Sequence, residues 1–295
     1  MSRAAYRVAS VIVLLAASSL AAAQPAKPLL WRVSDANNHV YLLGSFHALK
    51  ADDYPLPAAV NAALADSEIV AFEISPAEMA SPDLPKKMIA AATLPESRTL
   101  QQMLSDKGWH RLQLYAARRE LPLVNFQHLE PWFVALVVSL REMALLGYDP
   151  KQGLDQYLIA RAAAEGKRTL GLETADQQIA ALDSMTPVEQ QQALAESLDE
   201  AQNFKAQIDH LHDLWRTGDE SGLEQLLAAE FKRDYAQLYQ RINVARNQAW
   251  LPKISKMLDG RETDDVLIVV GSLHLLGSDG LVSQLKSKGY RVERL

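Results

Sequence analysis

The hydrophobic pattern of the chain alternates between short apolar runs and longer stretches with helical periodicity. Two β-prone runs, Leu29–Ser34 and His39–Leu43, flank the turn sequence Asp-Ala-Asn-Asn and therefore predict a β-hairpin. Further short apolar runs, bounded by charged or turn-forming residues, predict additional strands. These strands are expected at Ile69–Ile74, Lys167–Leu172, Asp265–Val270 and Tyr290–Arg294.

Helical periodicity fills most of the remaining chain. The predicted helices include Pro55–Ala65, amphipathic pieces within Pro82–Leu146, and Gly153–Glu165, which Gly166 is expected to end. Residues 187 to about 260 are polar and rich in Gln, Glu and Leu, and we interpret them as a helical insertion. This order predicts an α/β fold, with a mixed sheet covered by helices and a long helical insertion in the second half. Since linkers rich in Gly or Ser are absent, residues 24–295 are expected to form one domain.

The first residues have the pattern of a secretory signal peptide. Arg3 and Arg7 precede an apolar stretch, and Ala21-Ala22-Ala23 supplies the small residues of a cleavage site before Gln24. Cleavage near Ala23 is therefore expected to release the mature chain into the periplasm or the medium. A membrane anchor is the alternative, but it would need about 20 strongly apolar residues, and serines and alanines dilute this stretch.

Charge and composition narrow the classes of partner. Loss of Arg3 and Arg7 with the signal peptide changes the formal net charge from −6 to −8. An acidic mature chain argues against nucleic acid and against anionic membrane surfaces as partners. The absence of cysteine excludes a cysteine nucleophile, a thiolate zinc site and cysteine-ligated iron–sulfur clusters.

The most informative feature is a near-repeat at the ends of two predicted strands. Leu-Leu-Gly-Ser-Phe-His-Ala-Leu at residues 42–49 resembles Val-Val-Gly-Ser-Leu-His-Leu-Leu at residues 269–276. Functional groups collect at the carboxyl ends of the strands of an α/β sheet, and glycine allows a sharp turn there. If the two strands are neighbours, the imidazoles of His47 and His274 are expected to converge on one point.

Two glutamates are also expected at the carboxyl ends of predicted strands. Glu73 lies at the carboxyl end of one predicted strand, and Glu173 directly follows another. Two neutral imidazoles and a carboxylate suit a divalent transition metal, so Glu73 is the candidate third ligand beside His47 and His274. Each glutamate could instead stabilise the N-terminus of the helix that follows it. Four further histidines, at positions 110, 128, 210 and 212, have no matched partners and are interpreted as structural or solvated.

Together these motifs resemble those of the TraB/PrgY/GumN family, which includes the Tiki proteases. The two Gly-x-x-His motifs, Phe72-Glu73-Ile74 and the pair Arg246-Asn247 match family motifs in order. The segment from Gly153 to Thr174 resembles the family's central signature, and the matches cover nearly all of the mature chain. The chain departs from the family directly after the Arg-Asn pair, where Gln248-Ala249-Trp250 is bulkier than the Met-Ala often found there.

The resemblance implies a metal-dependent hydrolase, and peptidase is the class it favours. Tiki members are described as proteases that use Mn²⁺ or Co²⁺ with two histidines and a glutamate at the site. Our first hypothesis is therefore a secreted or periplasmic hydrolase with a divalent transition metal, Mn, Co or Zn, bound by His47, Glu73 and His274. Its expected partner is a peptide or small-molecule substrate, with no membrane contact after signal cleavage.

The remaining motif residues receive supporting roles under this hypothesis. Arg246 would stabilise an oxyanion or hold a substrate carboxylate, and Asn247 would orient one of these groups. Glu73 or Glu173 would act as general base, and Glu173 could instead anchor a histidine.

Two other functions stay open from the residues alone. One is a non-catalytic protein that binds haem, a metal or a small ligand, because superfamily relatives include haem-binding lipoproteins. The other is a metal-free hydrolase that uses His and Glu as acid and base, because erythromycin esterases are also relatives at that level.

Overall fold

The computed structural model describes residues 27–259 and 263–295, with the backbone alone for residues 199–204. The predicted signal peptide, residues 1–23, lies outside the described residues. The strands are β1 (Leu30–Ser34), β2 (His39–Ser45), β3 (Ile69–Ile74), β4 (Arg168–Glu173), β5 (Val266–Gly271) and β6 (Arg291–Arg294).

Helices account for most of the other described residues, and they confirm the predicted helical second half. They are α1 (Ala58–Asp66), α2 (Pro76–Met79), α3 (Leu84–Ala91), α4 (Leu100–Met103), α5 (Asp106–Arg119), α6 (Pro131–Leu145), α7 (Leu154–Ala164), α8 (Ala175–Asp183), α9 (Pro187–Thr217), α10 (Glu220–Leu223), α11 (Glu230–Asp234), α12 (Ala236–Tyr239), α13 (Ala245–Asp259) and α14 (Leu281–Ser287). Short π-helical turns at Glu224–Ala229 and Gln240–Val244 connect α10 to α11 and α12 to α13. Among the described helices, none combines the length and the apolar character that a membrane crossing requires.

The six strands form one mixed sheet in the order β4-β3-β5-β2-β1-β6. Strands β4, β3, β5 and β2 are parallel to one another, whereas β1 is antiparallel to both β2 and β6. The α/β fold and the β1–β2 hairpin are therefore confirmed. In the hairpin turn, the backbone N–H groups of Asn37 and Asn38 donate to Asp35 Oδ1 at 2.9 and 3.1 Å.

Strand β5 has the burial pattern that is typical of a parallel strand at the centre of a sheet. All of its residues are buried, which agrees with a continuous apolar sequence covered by helices on both faces. Helix α13 contributes Trp250, Ile254 and Leu258 to the same core. A second core lies between helices and contains Leu112 of α5, Val138 of α6 and Leu194 of α9 among others, so α9 packs mainly on helices.

The predicted boundaries need small corrections that matter at the site. The predicted helix Pro55–Ala65 begins only at Ala58, because Pro57 is its extended N-terminal cap. Glu173 is the last residue of β4 and does not follow the strand as predicted. The helical stretch after residue 187 is interrupted at Gly218, which has a φ of +68° and ends α9.

Candidate functional site

The two Gly-Ser-x-His motifs lie side by side because β2 and β5 are parallel neighbours. Their register pairs Ser45 with Gly271, and the Ser272 hydroxyl donates to the Ser45 carbonyl oxygen at 3.0 Å. A Cβ atom at Gly44 would lie 2.8 Å from Ser272 Oγ, so the close approach of the two motifs requires glycine there. The adjacency on which the predicted shared site depends is thus present.

Gly271 makes room for the reactive groups themselves. A Cβ atom at this position would lie 3.2 Å from His47 Nε2 and 3.3 Å from Glu73 Oε1. An imidazole nitrogen and a carboxylate oxygen therefore lie against the same small surface at the end of β5. The backbone N–H of Gly271 also donates to Glu73 Oε1 at 2.8 Å, which fixes the carboxylate at this point.

His47 lies just beyond β2 and is oriented by a carboxylate. Its Nδ1 is 2.9 Å from Asp155 Oδ2, and the Ser45 hydroxyl donates to the same oxygen. The negative charge of Asp155, followed by that of Glu73, raises the pKa of His47 to about 9 against the effect of Arg246. The imidazole side chain is 65% exposed, so solvent screens part of this attraction. Nδ1–H donation leaves Nε2 facing Glu73 and Gly271.

His274 lies in a short 3₁₀ turn, Ser272–Leu275, and is buried. The Asn247 side-chain amide donates from Nδ2 to two carbonyl oxygens, those of His274 at 3.2 Å and Asp279 at 3.0 Å. Asn247 Oδ1 is therefore an acceptor, and it lies 2.7 Å from His274 Nδ1. The proton of His274 is thus on Nδ1, and the lone pair of Nε2 faces the site. Burial lowers the pKa of His274 to about 3, which keeps the ring neutral.

Glu73 connects the two histidines. Its Oε1 atom is 3.9 Å from His274 Nε2, and its Oε2 atom accepts from Gln178 Nε2 at 3.0 Å. Burial alone would raise the pKa of Glu73, but the neighbouring imidazoles and the guanidinium of Arg246 outweigh it and lower the value to about 2. The carboxylate is therefore ionised at neutral pH.

Arg246 holds two carboxylates together. Its Nη2 atom donates to Glu73 Oε2 and to Glu173 Oε1, each at 2.6 Å, and its Nε atom donates to Glu173 at 3.0 Å. Its Nη1 atom donates to the Ile242 carbonyl at 3.2 Å and to His274 Nε2 at 3.1 Å. These bonds engage all five guanidinium N–H groups. The arrangement favours a positioning role for Arg246 rather than direct contact with an oxyanion or a substrate carboxylate.

Glu173 is the most enclosed acidic group of the site, with a side chain only 6% exposed. Besides Arg246 it accepts from Trp250 Nε1 at 3.2 Å, and the Trp250 ring lies 4.5 Å from the His274 ring, centroid to centroid. Both carboxylate oxygens are thus bonded to fixed donors. This environment favours the predicted anchoring role of Glu173 over that of a general base.

The structure brings the predicted residues into one cluster. It contains His47, Glu73, Glu173, Arg246, Asn247 and His274. The alternative that the glutamates serve helix N-termini is wrong, because Ser75 caps α2 and Thr174 caps α8 with their hydroxyl groups.

The remaining histidines stay outside this cluster. His212, on α9, is buried, and its Nε2 atom lies 2.9 Å from Asp53. His110, His128 and His210 are exposed. Their interpretation as structural or solvated residues agrees with these positions.

Sequence reasoning missed Asp155 and Gln178 as site residues. Asp155 lies in the first turn of α7, and Leu154 N donates to the Phe46 carbonyl at 3.2 Å, which places the turn beside His47. A Cβ atom at Gly153 would lie 2.1 Å from the His47 carbonyl oxygen, so this approach requires glycine. The sequence feature that could have indicated Asp155 is Gly-Leu-Asp at residues 153–155, which lies within the segment that resembles the family signature.

The donor types at the site fit a divalent transition metal. Nε2 of His47, Nε2 of His274 and Oε1 of Glu73 are donors of the kind such ions prefer, and both imidazoles have the Nδ1 partners that typically orient metal ligands. Within the described residues, however, no three His, Cys, Asp or Glu side chains are close enough together to form a closed metal site. His47 is the most exposed of these three donors.

We expect the pKa of the His47 imidazole to lie above its ordinary value, because Asp155 stabilises its cationic form. Replacing Asp155 with asparagine should lower this pKa towards the ordinary value of about 6.5. Since a metal competes with the proton on this ring, metal affinity should rise with pH as His47 loses that proton. Histidine NMR titrations of the wild type and the variant measure the shift, with exposed His110 as internal reference. A His47 pKa unchanged by Asp155→Asn would contradict the assigned contact.

Comparison with known proteins gives a consistent result. The sequence profile of the TraB/PrgY/gumN family matches residues 29–294. The chain is 26% identical over 250 residues to the uncharacterized protein YbaP of Escherichia coli (strain K12), covering 85% of this chain and 89% of YbaP. It has the same identity and coverage with the uncharacterized protein YbaP of Shigella flexneri. No solved structure matches the chain.

Proposed function

The chain belongs to the TraB/PrgY/gumN family, and from this premise and the geometry of the site we propose that it is a metal-dependent hydrolase, with peptides as the preferred substrates. The observation that carries the proposal is the position of the Glu73 carboxylate between the two imidazoles: its Oε1 atom lies against Gly271 beside His47 Nε2, and 3.9 Å from His274 Nε2. The signal-peptide pattern at residues 1–23 supports action in the periplasm or outside the cell.

In this proposal His47, Glu73 and His274 hold the metal. A divalent cation bound there would act as a Lewis acid towards a scissile carbonyl group. Asp155 and Asn247 fix the two imidazole rings with Nε2 towards the cation, through contacts of 2.9 and 2.7 Å.

The buried charges keep the Glu73 carboxylate ionised and in place. Arg246 and Gln178 bind one of its oxygens, and the Gly271 N–H binds the other. Glu173, on β4, in turn positions the Arg246 guanidinium. Glu173 therefore helps to hold Glu73 in place through Arg246. Asn247 acts only on His274, since its amide atoms bond to that residue and to the Asp279 carbonyl.

One observation favours a second candidate, a metal-free hydrolase. Arg246 Nη1 already donates to His274 Nε2 at 3.1 Å and supplies a positive charge between Glu73 and Glu173. In this case the deprotonated His47, oriented by Asp155, would act as general base on a water molecule. Turnover that persists in the presence of a strong chelator would favour this second candidate.

Metal content distinguishes these proposals most directly. Purified mature protein, incubated with Mn²⁺, Co²⁺ or Zn²⁺ and then freed of unbound ions, is expected to retain about one metal per chain, as judged by elemental mass spectrometry. The His47→Ala/His274→Ala variant should lose this metal because two of its three ligands are gone. Removal of the metal with a chelator should abolish hydrolysis in a screen of peptide and ester substrates, and adding the metal back should restore it.

The matched control is His110→Ala, which removes an exposed imidazole on α5 and leaves the site unchanged. This variant should retain the metal content of the wild type. Equal metal in the wild type and in the double variant would show that any bound ion lies elsewhere, and would contradict the metal-dependent proposal.

A further inference from the structure

The guanidinium of Arg246 bonds to two of the three side chains proposed as metal ligands. Its Nη2 atom donates to Glu73 Oε2 at 2.6 Å, and its Nη1 atom donates to His274 Nε2 at 3.1 Å. One cation thus already bridges this carboxylate and this imidazole. A second cation at the same two side chains has to share them with Arg246.

His274 can serve only one of the two cations at a time. Its proton is on Nδ1, which lies 2.7 Å from the acceptor Asn247 Oδ1. A neutral imidazole has a single acceptor lone pair, here on Nε2. That lone pair can accept a hydrogen bond from Arg246 or bind a metal ion, but it cannot do both. The ring is also fixed in this orientation, because it is buried and packs against the Trp250 ring at 4.5 Å.

Glu173 holds Arg246 independently of the proposed ligands. Its Oε1 atom accepts from Arg246 Nη2 at 2.6 Å and from Nε at 3.0 Å, and its Oε2 atom lies 3.1 Å from the same Nε. Trp250 Nε1 fixes this carboxylate in turn, at 3.2 Å. A rotation of the guanidinium about Glu173 can therefore end the contact with His274 while the ion pair remains.

The contact with His274 is the weakest part of the bridge. The imidazole is neutral, whereas the two glutamates are carboxylates at 2.6 Å, and hydrogen bonds between charged partners are the stronger ones. Nη1 also keeps a local acceptor, the Ile242 carbonyl oxygen at 3.2 Å in the π-helical turn before α13. We therefore expect Arg246 to leave His274 before it leaves either glutamate.

We propose that Arg246 competes with the metal ion for His274 Nε2 and thereby sets the affinity of the candidate site for divalent cations. For His274 to act as a ligand, Arg246 gives up this one contact and stays paired with Glu173. The site then binds its metal ion more weakly, and releases it more readily, than the same ligands would without the guanidinium. The inference rests on the proposed function, because it assigns a regulator to the proposed metal site, but it is tested by binding and not by turnover.

The test compares Arg246→Lys with the wild type by calorimetric titration with Zn²⁺. Lysine keeps one positive charge for Glu73 and Glu173 but lacks the planar fork that bridges them to His274. The Zn²⁺ affinity of the variant is expected to rise at least about tenfold, which corresponds to one hydrogen bond from a charged donor. An affinity equal to that of the wild type or weaker, in a folded variant, would overturn the competition.

The matched control is Arg241→Lys. It makes the same substitution in the π-helical turn Gln240–Val244, where the Arg241 side chain bonds to Glu189 and Ser184 and not to the proposed ligands. This variant should bind Zn²⁺ with the affinity of the wild type. Circular dichroism establishes that both variants are folded.

A measurement on the wild type keeps the inference testable if Arg246→Lys does not fold. Nitrogen-15 NMR of the histidine side chains shows which ring nitrogen carries the proton and which one binds a metal ion. Saturation with Zn²⁺ should shift the His274 Nε2 signal, while the Arg246 Nε–H signal should persist because its bonds to Glu173 remain. An unchanged His274 Nε2 signal in the Zn²⁺-loaded protein would overturn the inference.

The outcomes separate this inference from the proposed function. Zn²⁺ binding to Arg246→Lys but not to the wild type would support the competition and count against a metal-dependent wild-type enzyme. Equal affinity in both proteins, with His274 as a ligand, would overturn the competition and leave the proposed function standing. Absence of binding in both proteins would count against both.

Discussion

Replacing Arg246 with methionine is expected to lower the free energy of unfolding by about 3–5 kcal/mol. The change leaves Glu73 and Glu173 without their shared cation, although their side chains are only 12% and 6% exposed. Buried carboxylates that lose their partner carry an uncompensated desolvation cost, which is larger than the modest value of the ion pair itself. Urea denaturation at neutral pH measures the difference between variant and wild type.

The same variant should show a distinctive dependence on pH. Glu73 has a folded-state pKa of about 2, below its ordinary value of 4.5, so it contributes stability above pH 4.5 that is lost as the pH falls towards 2. Without Arg246 much of this contribution disappears. The stability difference between wild type and Arg246→Met should therefore be largest above pH 4.5 and should shrink as the pH falls towards 2.

Two further variants separate the loss of charge pairing from the loss of an arginine. Arg233→Met removes an exposed arginine that pairs with Asp234 on the surface, and it should change stability by less than about 0.5 kcal/mol. Adding Glu73→Gln and Glu173→Gln to Arg246→Met should recover part of the lost stability, because the buried charges are removed. An Arg246→Met protein as stable as the Arg233→Met control would contradict the assigned network.

The strands and the two matching Gly-Ser-x-His motifs could be predicted from the sequence for a physical reason. Buried parallel strands require continuous apolar runs, and the close contact between Gly44 and Ser272 requires glycine, so both features leave local signals. The adjacency of β2 and β5 leaves no such signal, because it depends on how the whole chain folds. The predicted shared site therefore had this adjacency as a condition, and the strand order of the sheet fulfils it.

The difference between the two histidines is also beyond local sequence. The motifs are nearly identical, yet β2 and β5 pair Ser45, not Gly44, with Gly271, so the copies are offset by one residue. His274 then lies in a buried 3₁₀ turn against Asn247, whereas His47 has an exposed side chain that lies against Asp155. Similar sequences thus give one imidazole with a lowered pKa and one with a raised pKa.

Asp155 and Arg246 show what sequence reasoning assigns wrongly or omits. The helix dipole is enough to explain an aspartate in the first turn of a helix, so the sequence alone does not indicate that Asp155 belongs to the site. An arginine near a proposed reaction centre suggests an anion-binding role, but the partners of Arg246 come from β3, β4 and the turn before α13. Only the fold reveals that these partners already engage its donors.

Substituting either histidine of the candidate site is expected to reduce kcat/KM by at least about 10²-fold on any substrate that the wild type hydrolyses. His47→Ala removes the Nε2 atom beside Gly271, and His274→Ala removes the Nε2 atom that lies 3.9 Å from Glu73. Steady-state kinetics of the two variants, with His110→Ala as a control that should retain wild-type activity, measure the effect. Full activity in either site variant would contradict a shared site.

Added imidazole should distinguish the two variants, because the two rings differ in access to solvent. The His47 side chain is 65% exposed, so its removal leaves a space that free imidazole can enter beside Asp155 and Glu73. The His274 side chain is 6% exposed and packs against Trp250, so the corresponding space is closed. Imidazole is therefore expected to restore part of the activity of His47→Ala and none of that of His274→Ala. Equal restoration in both would show that the buried position assigned to His274 is wrong.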